Sequence, residues 1–222
     1  MTRKARRTPS NATPDSTPTR AESTIDLRAV HGKRILIGIT GGIAAYKVCT
    51  VVSKLAQAGA EVTVAMTPSA TQFVTPLTFQ ALSARPVYTS AWEHIESKDP
   101  QHVSLARDLD LALVAPCTMD MLAKLATGRT DDVVSLILSA IDRASTPVLL
   151  APSMNAAMWA QPSTQRNLRQ LEEDAFLFIG PDDGWQACRT SGTGRMTEPE
   201  TILERITQLC RGQQKSTRST RR

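Results

Sequence analysis

"KRILIGITGG", residues 33–42, is a short apolar run rich in β-branched side chains that ends on two glycines. A run of that length bounded by a turn signal reads as a strand buried on both faces. The next stretch, "IAAYKVCTVVSKLAQAGA" (43–60), has helical spacing and closes on Gly59, a common helix stop. The apolar-run signal then recurs in "EVTVAM" (61–66), "LALVAP" (111–116), "PVLLAP" (147–152) and "AFLFIGP" (175–181). Helical stretches fall at 118–126, 131–140 and 163–173, and "EPETILERITQLC" (198–210) reads as the last helix. Strands apolar on both faces and alternating with helices imply a parallel sheet covered on both sides. Right-handed crossovers make this a single-domain, doubly wound α/β sheet of the Rossmann or flavodoxin type.

The net charge of +5 belongs to the ends of the chain. Residues 1–34 hold eight Lys or Arg against three Asp or Glu, and 211–222 hold five against none. Residues 35–210 therefore carry thirteen basic and eighteen acidic side chains, a net charge of −5. The opening segment is rich in Thr, Ser, Pro and Arg and has no apolar periodicity, so it buries too little surface to offset its ordering entropy. Residues 1–32 and 211–222 are expected to be disordered basic tails around a domain at 33–210. Such tails can touch nucleic acid or anionic lipid. Solvated ends are the simpler reading, and no nucleic-acid partner is expected. Asp15, Glu22 and Asp26 argue against an organelle-targeting presequence. With no secretory core and no apolar span of about 18 residues, no membrane crossing is expected. Cys49, Cys117, Cys188 and Cys210 are scattered without CxxC spacing, which suggests neither a metal site nor a disulfide framework and fits a reducing cytoplasm.

In a doubly wound sheet, ligands bind beyond the carboxyl ends of the strands. Here those ends read "TGG" (40–42), "MTPSA" (66–70), "APCTMD" (115–120) and "APSMN" (151–155), all small or polar, so several should face one crevice. "GITGGIAAYK" (38–47) is neither GxGxxG nor a P-loop, which leaves NAD and ATP weakly supported. Gly41 and Gly42 still let backbone amides approach an anion at a helix start, with Thr67 and Ser69 as hydroxyl donors, and a mononucleotide phosphate is the economical ligand. A plain tight turn would need the same glycines.

"GITGGIAAYK" is followed in order by "TPLTFQALS" (75–83), "HVSLARDLDLALVAPCTMDMLAKLATGRTDDVVS" (102–135), "PSMNAAMW" (152–159) and "QAC" with "GRM" (186–196). Together these resemble the flavin-dependent cysteine decarboxylase family, most nearly its branch acting on the phosphopantothenoylcysteine of coenzyme A synthesis. The resemblance covers about residues 34–210 and implies bound FMN, a homotrimer or trimer-based dodecamer, and an active site between subunits. It points to Gly41, Gly42, Ile43, Thr67, Ser69, Thr118, Met119, Asp120, Met121 and Ser153 for the cofactor, and Cys117 could line it.

The resemblance also assigns the chemistry. Loss of CO2 from an ordinary cysteine carboxylate leaves an unstabilised carbanion, and the family first makes an electron sink by oxidising the substrate thiol to a thioaldehyde. Decarboxylation then gives an ene-thiol, which is reduced to the amine thiol, so the cofactor supplies the difficult step. His102 matches the catalytic histidine, and imidazole suits proton handling near neutrality. A lone histidine in other company is more often an ordinary surface residue. Asn155 offers an amide that holds a carboxylate without neutralising it, although an asparagine there would also cap the helix at 156. Met154, Met158 and Trp159 would wall the substrate with soft apolar surface, Met158 in contact with it. Cys188 lies in a flap-like stretch and matches the cysteine that protonates the ene-thiol, while Cys49 and Cys210 should pack as small hydrophobes. Relatives usually read ACGD where this chain has Cys188-Arg189-Thr190, so an arginine stands where glycine's freedom at positive φ is usual.

Alternative readings are a peptidyl-cysteine decarboxylase, a flavin prenyltransferase, or a flavin-binding regulatory subunit without turnover. The cysteine before "GRM" argues against the first two, and the presence of both His102 and Cys188 against the third. A chain of 222 residues is too short to include the synthetase domain of bifunctional relatives, so a separate phosphopantothenate–cysteine ligase is expected.

Overall fold

In the computed structural model, which describes residues 25–93 and 100–219, the stretch at 33–42 forms β1 (Arg34–Ile39) and turns at Gly41-Gly42 into α1 (Ala45–Gln57). The chain continues through β2 (Glu61–Met66), α2 (Pro76–Ser83), β3 (Val87–Tyr88), α3 (Gln101–Ala106), β4 (Leu111–Cys117), α4 (Met119–Thr127) and α5 (Val133–Ser139). It then forms β5 (Val148–Pro152), α6 (Ala156–Trp159), α7 (Pro162–Glu173), β6 (Leu177–Phe178), β7 (Asp182–Trp185), β8 (Ser191–Arg195) and α8 (Pro199–Ser219). β1–β6 make one parallel sheet in the order β3-β2-β1-β4-β5-β6, and β7–β8 pair antiparallel as a separate hairpin. That strand order is the Rossmann alternative, and its topological switch point lies between β1 and β4.

Alternation along β1 feeds two cores. Ile35, Ile37 and Ile39 pack with α1, α2 and α8 on one face, whereas Leu36 joins α3, α4, α5 and α7 on the other. Gly38 points to the second face, where an added Cβ would lie 2.7 Å from Val134 Cγ1, so α5 sits close on β1 because that position has no side chain. Each fully buried aliphatic side chain in these layers contributes roughly 1.5–3 kcal/mol, which explains why both faces had to read apolar.

The elements absent from the sequence reading are short or polar: α2, α3, the two-residue edge strand β3, and the β7–β8 hairpin, which occupies the flap-like stretch. The domain limits also differ from those expected. Ala29 and Val30 are buried in the first core with Ile25 and Leu27 packed against it, so the packed chain begins before residue 33. At the other end α8 runs to Ser219 instead of stopping at 210. The rest of the proposed tails, and His94, lie outside the described residues. Among the described residues no helix is long and apolar enough to cross a membrane, and no cluster of His, Cys, Asp and Glu could hold a metal.

One hydroxyl joins the two sides of the switch point. Thr40, 1% exposed, donates to the Pro116 carbonyl at 2.6 Å and accepts from the Thr118 N–H at 3.1 Å. Thr40→Val keeps the shape and strands both groups, which should destabilise the protein by about 1–3 kcal/mol, read as a lowered urea midpoint with unchanged slope.

A second link ties α1 to the base of the hairpin. Lys47 Nζ donates to both Glu198 oxygens at 2.9 and 3.0 Å, and Arg195 pairs with the same carboxylate. Burial pushes the Glu198 carboxyl up, but these two cations outweigh it and hold it below the ordinary range. A depressed carboxyl stabilises the fold above its unfolded value, about 4.3, and the contribution is lost as pH falls through the folded value. The difference in urea midpoint between wild type and Glu198→Gln should therefore be largest near neutrality and shrink on acidification below about pH 4.

Candidate active site

The crest of the sheet is a series of strand ends fastened to one another. At β1, the chain leaves Thr40 through Gly41 and Gly42, and a Cβ on Gly41 would fall 2.5 Å from the Ser69 side chain. The loops after β1 and β2 are therefore packed together by that glycine. The Thr67 hydroxyl is buried, lies 3.1 Å from Ser69 Oγ and accepts the Ala70 N–H, which leaves Ser69 as the exposed hydroxyl. α1 begins without a side-chain cap or an acidic residue in its first turn. Among the described residues the N–H groups of Ile43 and Ala44 meet no backbone acceptor. Orphan amides at a helix start, beside exposed hydroxyls and without a competing carboxylate, suit an anion.

At β4, Thr118 caps α4 by accepting the Met121 N–H at 3.3 Å. Met119 is half-buried beside it. Asp120 is exposed and pairs with Lys124 at 3.3 Å, whose ammonium also meets Asp132 at 2.8 Å and Asp131 at 3.0 Å. Two of the residues expected at the cofactor have side chains buried in the second core. Met121 is fully buried in the second core, so it acts through packing under α4. Cys117 is likewise 0% exposed in that core, where burial pushes its thiol far above the ordinary range. Its carbonyl is what reaches the crest, accepting the Ser153 N–H at 3.0 Å. Cys210 is buried in the first core, its thiol pushed up to about 11, and Cys49 packs against that core.

β5 delivers Ser153, Met154 and Asn155. Ser153 is half-buried, and its hydroxyl has no partner among the described residues. Asn155 caps α6, with Oδ1 accepting the Met158 N–H at 2.8 Å. Both readings of this residue fit at once: the cap uses the amide's acceptor, and Nδ2 donates to no described residue. Met158 is 39% exposed beside it, while Met154 and Trp159 pack against the second core.

The hairpin closes on the same corner. Met154 N–H donates to the Gly194 carbonyl at 2.9 Å, and Ala156 N–H donates to Gln186 Oε1 at 3.1 Å. Cys188 is exposed near the tip, with its sulfur 3.0 Å from Thr190 Oγ1 and 3.6 Å from Gln186 Oε1. Arg189 stands at φ +64°, a left-handed conformation that favours glycine. Asn155 and Cys188 are thus brought to one corner by Gln186, which accepts the Ala156 N–H and faces the Cys188 sulfur, and which stood in the sequence only as the first letter of "QAC", without a role. A buried glutamine in a polar hairpin carries no periodic signal that could reveal it.

His102 lies elsewhere. It is half-buried in the first turn of α3, and its neighbour Gln101 donates to the Ser90 carbonyl, two residues beyond the β3 edge strand. Three strands separate β3 from β5. Among the described residues no hydrogen bond or ion pair joins His102 to the Asn155 corner.

The family model described as Flavoprotein matches residues 23–211. The chain is 43% identical over 175 residues to the coenzyme A biosynthesis bifunctional protein CoaBC of Bacillus subtilis, covering 79% of this chain and 42% of the relative. It is 42% identical over 176 residues to CoaBC of Escherichia coli K12, covering 79% and 43%. The chain therefore spans less than half the length of these curated relatives. Among solved structures it resembles a cysteine-to-serine variant of PPC decarboxylase complexed with pantothenoylaminoethenethiol, with TM-score 0.71, 30% identity, and coverage of 79% of this chain and 97% of that one. It is similar as well to the FMN binding protein AtHal3, with TM-score 0.69, 30% identity, and coverage of 79% and 95%. With the match running through nearly every crest loop described above, the chain belongs to the Flavoprotein family.

Proposed function

We propose that this protein is an FMN-dependent decarboxylase that converts 4′-phosphopantothenoylcysteine to 4′-phosphopantetheine. The observation that carries the reading is the corner shared by Asn155 and Cys188, a carboxylate-binding amide and an exposed thiol fixed to one another by the hairpin. The relatives support it: one is a PPC decarboxylase complexed with an ethenethiol when a cysteine has become serine.

The crest fits FMN. The Ile43 and Ala44 amides, Gly41 and Gly42, and the Ser69 hydroxyl would hold its phosphate, with Thr118, Met119 and Ser153 beside it. When bound, FMN supplies reversible two-electron oxidation of the substrate's thiol-bearing carbon. Asn155 Nδ2 holds the substrate carboxylate as an anion, the form that loses CO2. Met158 keeps water from that carboxylate. His102 would take and return the protons of the substrate. The Cys188 thiol would give a proton to one ene-thiol carbon, the other receiving the hydride that the cofactor would supply, so that a saturated thiol forms with no net redox change.

One protomer does not bring His102 to the Asn155 corner, and a second copy of the chain supplies the missing half in this reading. Ile43, Tyr46, Phe73 and Leu77 expose apolar side chains along the β1–β2 side of the crest, the kind of surface an assembly covers. A homotrimer in the cytoplasm fits the resemblance, and its substrate must come from a ligase that joins cysteine to phosphopantothenate.

Protein purified with FMN available should be yellow and should release CO2 from phosphopantothenoylcysteine; a folded, colourless protein refutes the reading. Bound flavin without turnover points instead to a regulatory subunit. Cys188→Ser should release a product lighter by two hydrogens, the ene-thiol, detected by mass. Mixing His102→Asn protomers with Asn155→Asp protomers should restore about a quarter of the sites if they are shared between subunits, and none if each protomer is self-sufficient.

A further inference from the structure

Gln186 is 7% exposed, although Trp185 beside it and Cys188 beyond it are exposed. All of its polar groups are engaged. Its backbone N–H donates to the Thr190 carbonyl at 2.9 Å, and its carbonyl accepts the Arg189 N–H at 2.9 Å, which closes the hairpin turn. Its side-chain Nε2 donates to the Gly192 carbonyl at 3.1 Å. Oε1 accepts the Ala156 N–H at 3.1 Å and faces the Cys188 sulfur at 3.6 Å. The partners fix the amide's orientation, because a flipped amide would oppose Nε2 to one N–H and Oε1 to one carbonyl.

One oxygen therefore meets both the first N–H of the turn that carries Asn155 and the thiol of the residue read as proton donor. We propose that Gln186 is a positioning residue for that reaction, whose carbonyl oxygen holds the Cys188 S–H in register with Asn155 while the Thr190 hydroxyl contacts the sulfur at 3.0 Å. The proposal rests on the decarboxylase reading for its consequence, but the contact it describes does not. A carboxylate in place of that carbonyl would favour the protonated sulfur through its charge.

The test uses the full chain with FMN bound, in a Cys49→Ser background, so that Cys188 is the exposed thiol; Cys117 and Cys210 are buried. Iodoacetamide alkylation is followed by intact mass against pH. Gln186→Glu gives up the bond to the Gly192 carbonyl but keeps an oxygen at the sulfur and adds charge, and should move the alkylation midpoint upward by about one unit. Gln186→Leu should release a several-fold larger fraction of the ene-thiol than wild type, and Gln186→Glu should restore the saturated thiol. A Gln186→Glu midpoint equal to that of wild type overturns the proposal, even where Gln186→Leu does not fold. Matching product ratios in wild type and folded Gln186→Leu overturn it too. A wild type without turnover refutes the decarboxylase reading, while the alkylation profiles still decide the contact.

Discussion

The crest of this sheet depends on the Thr40 hydroxyl. In a parallel sheet of order β3-β2-β1-β4-β5-β6, the connections from β1 and β4 depart in opposite directions, and a crevice opens between them. Nothing in the backbone ladder spans that gap beyond the last paired residues, Gly38 and Val114. Thr40 spans it, through the Pro116 carbonyl and the Thr118 N–H, and Thr118 in turn caps α4. The chain is thus closed where the fold by itself would splay, and the loop at Gly41 is set relative to the loop at Thr118. The Ser153 N–H to Cys117 bond carries the same fastening on to β5.

Function follows from how these fastenings divide the polar groups. The Thr67 and Thr118 hydroxyls and Asn155 Oδ1 are used internally, to close turns and caps. The Ile43 and Ala44 amides, the Ser153 hydroxyl and Asn155 Nδ2 have no partner among the described residues, and the Ser69 hydroxyl meets only Thr67. A side chain with two polar ends can serve the fold with one and leave the other open, and Asn155 does so. This is also why the cap and the proposed carboxylate-holding role could not be separated in the sequence: both call for a short amide at the same place.

The two cores were legible because burial on both faces writes itself into every residue of β1, β4 and β5. The edges were not. β3 and β6 are two residues each, too short for any period, and the hairpin buries little, so Asp182-Asp183-Gly184-Trp185 reads as loop. Residues on strand ends could be located at the crest, because the ends of apolar runs mark it. Which way each side chain points could not: Met119 and Met121 are two residues apart on one helix, yet the first lies half-buried near the crest and the second lies in the core. The limits at 32 and 211 failed for a related reason. Ile25, Leu27, Ala29 and Val30 are too few to form a pattern, but they cover an apolar face that α8 alone leaves open.

The placement of the thiol has a thermodynamic logic. A two-stranded hairpin is marginal by itself in water and owes its persistence to what it packs against. Here the anchors sit at its base and flank: Thr197 to Asp182, Arg195 to Glu198, Gly194 to Met154, and Gln186 to Ala156. The turn at its tip is closed by only two backbone bonds and carries Arg189 in a conformation that costs a non-glycine residue about 1–2 kcal/mol. Opening the tip releases that strain and breaks few contacts, so the Cys188 segment opens more easily than the strand end that carries Asn155. The hairpin base holds the corner together, and only the tip beyond Gln186 is cheap to displace.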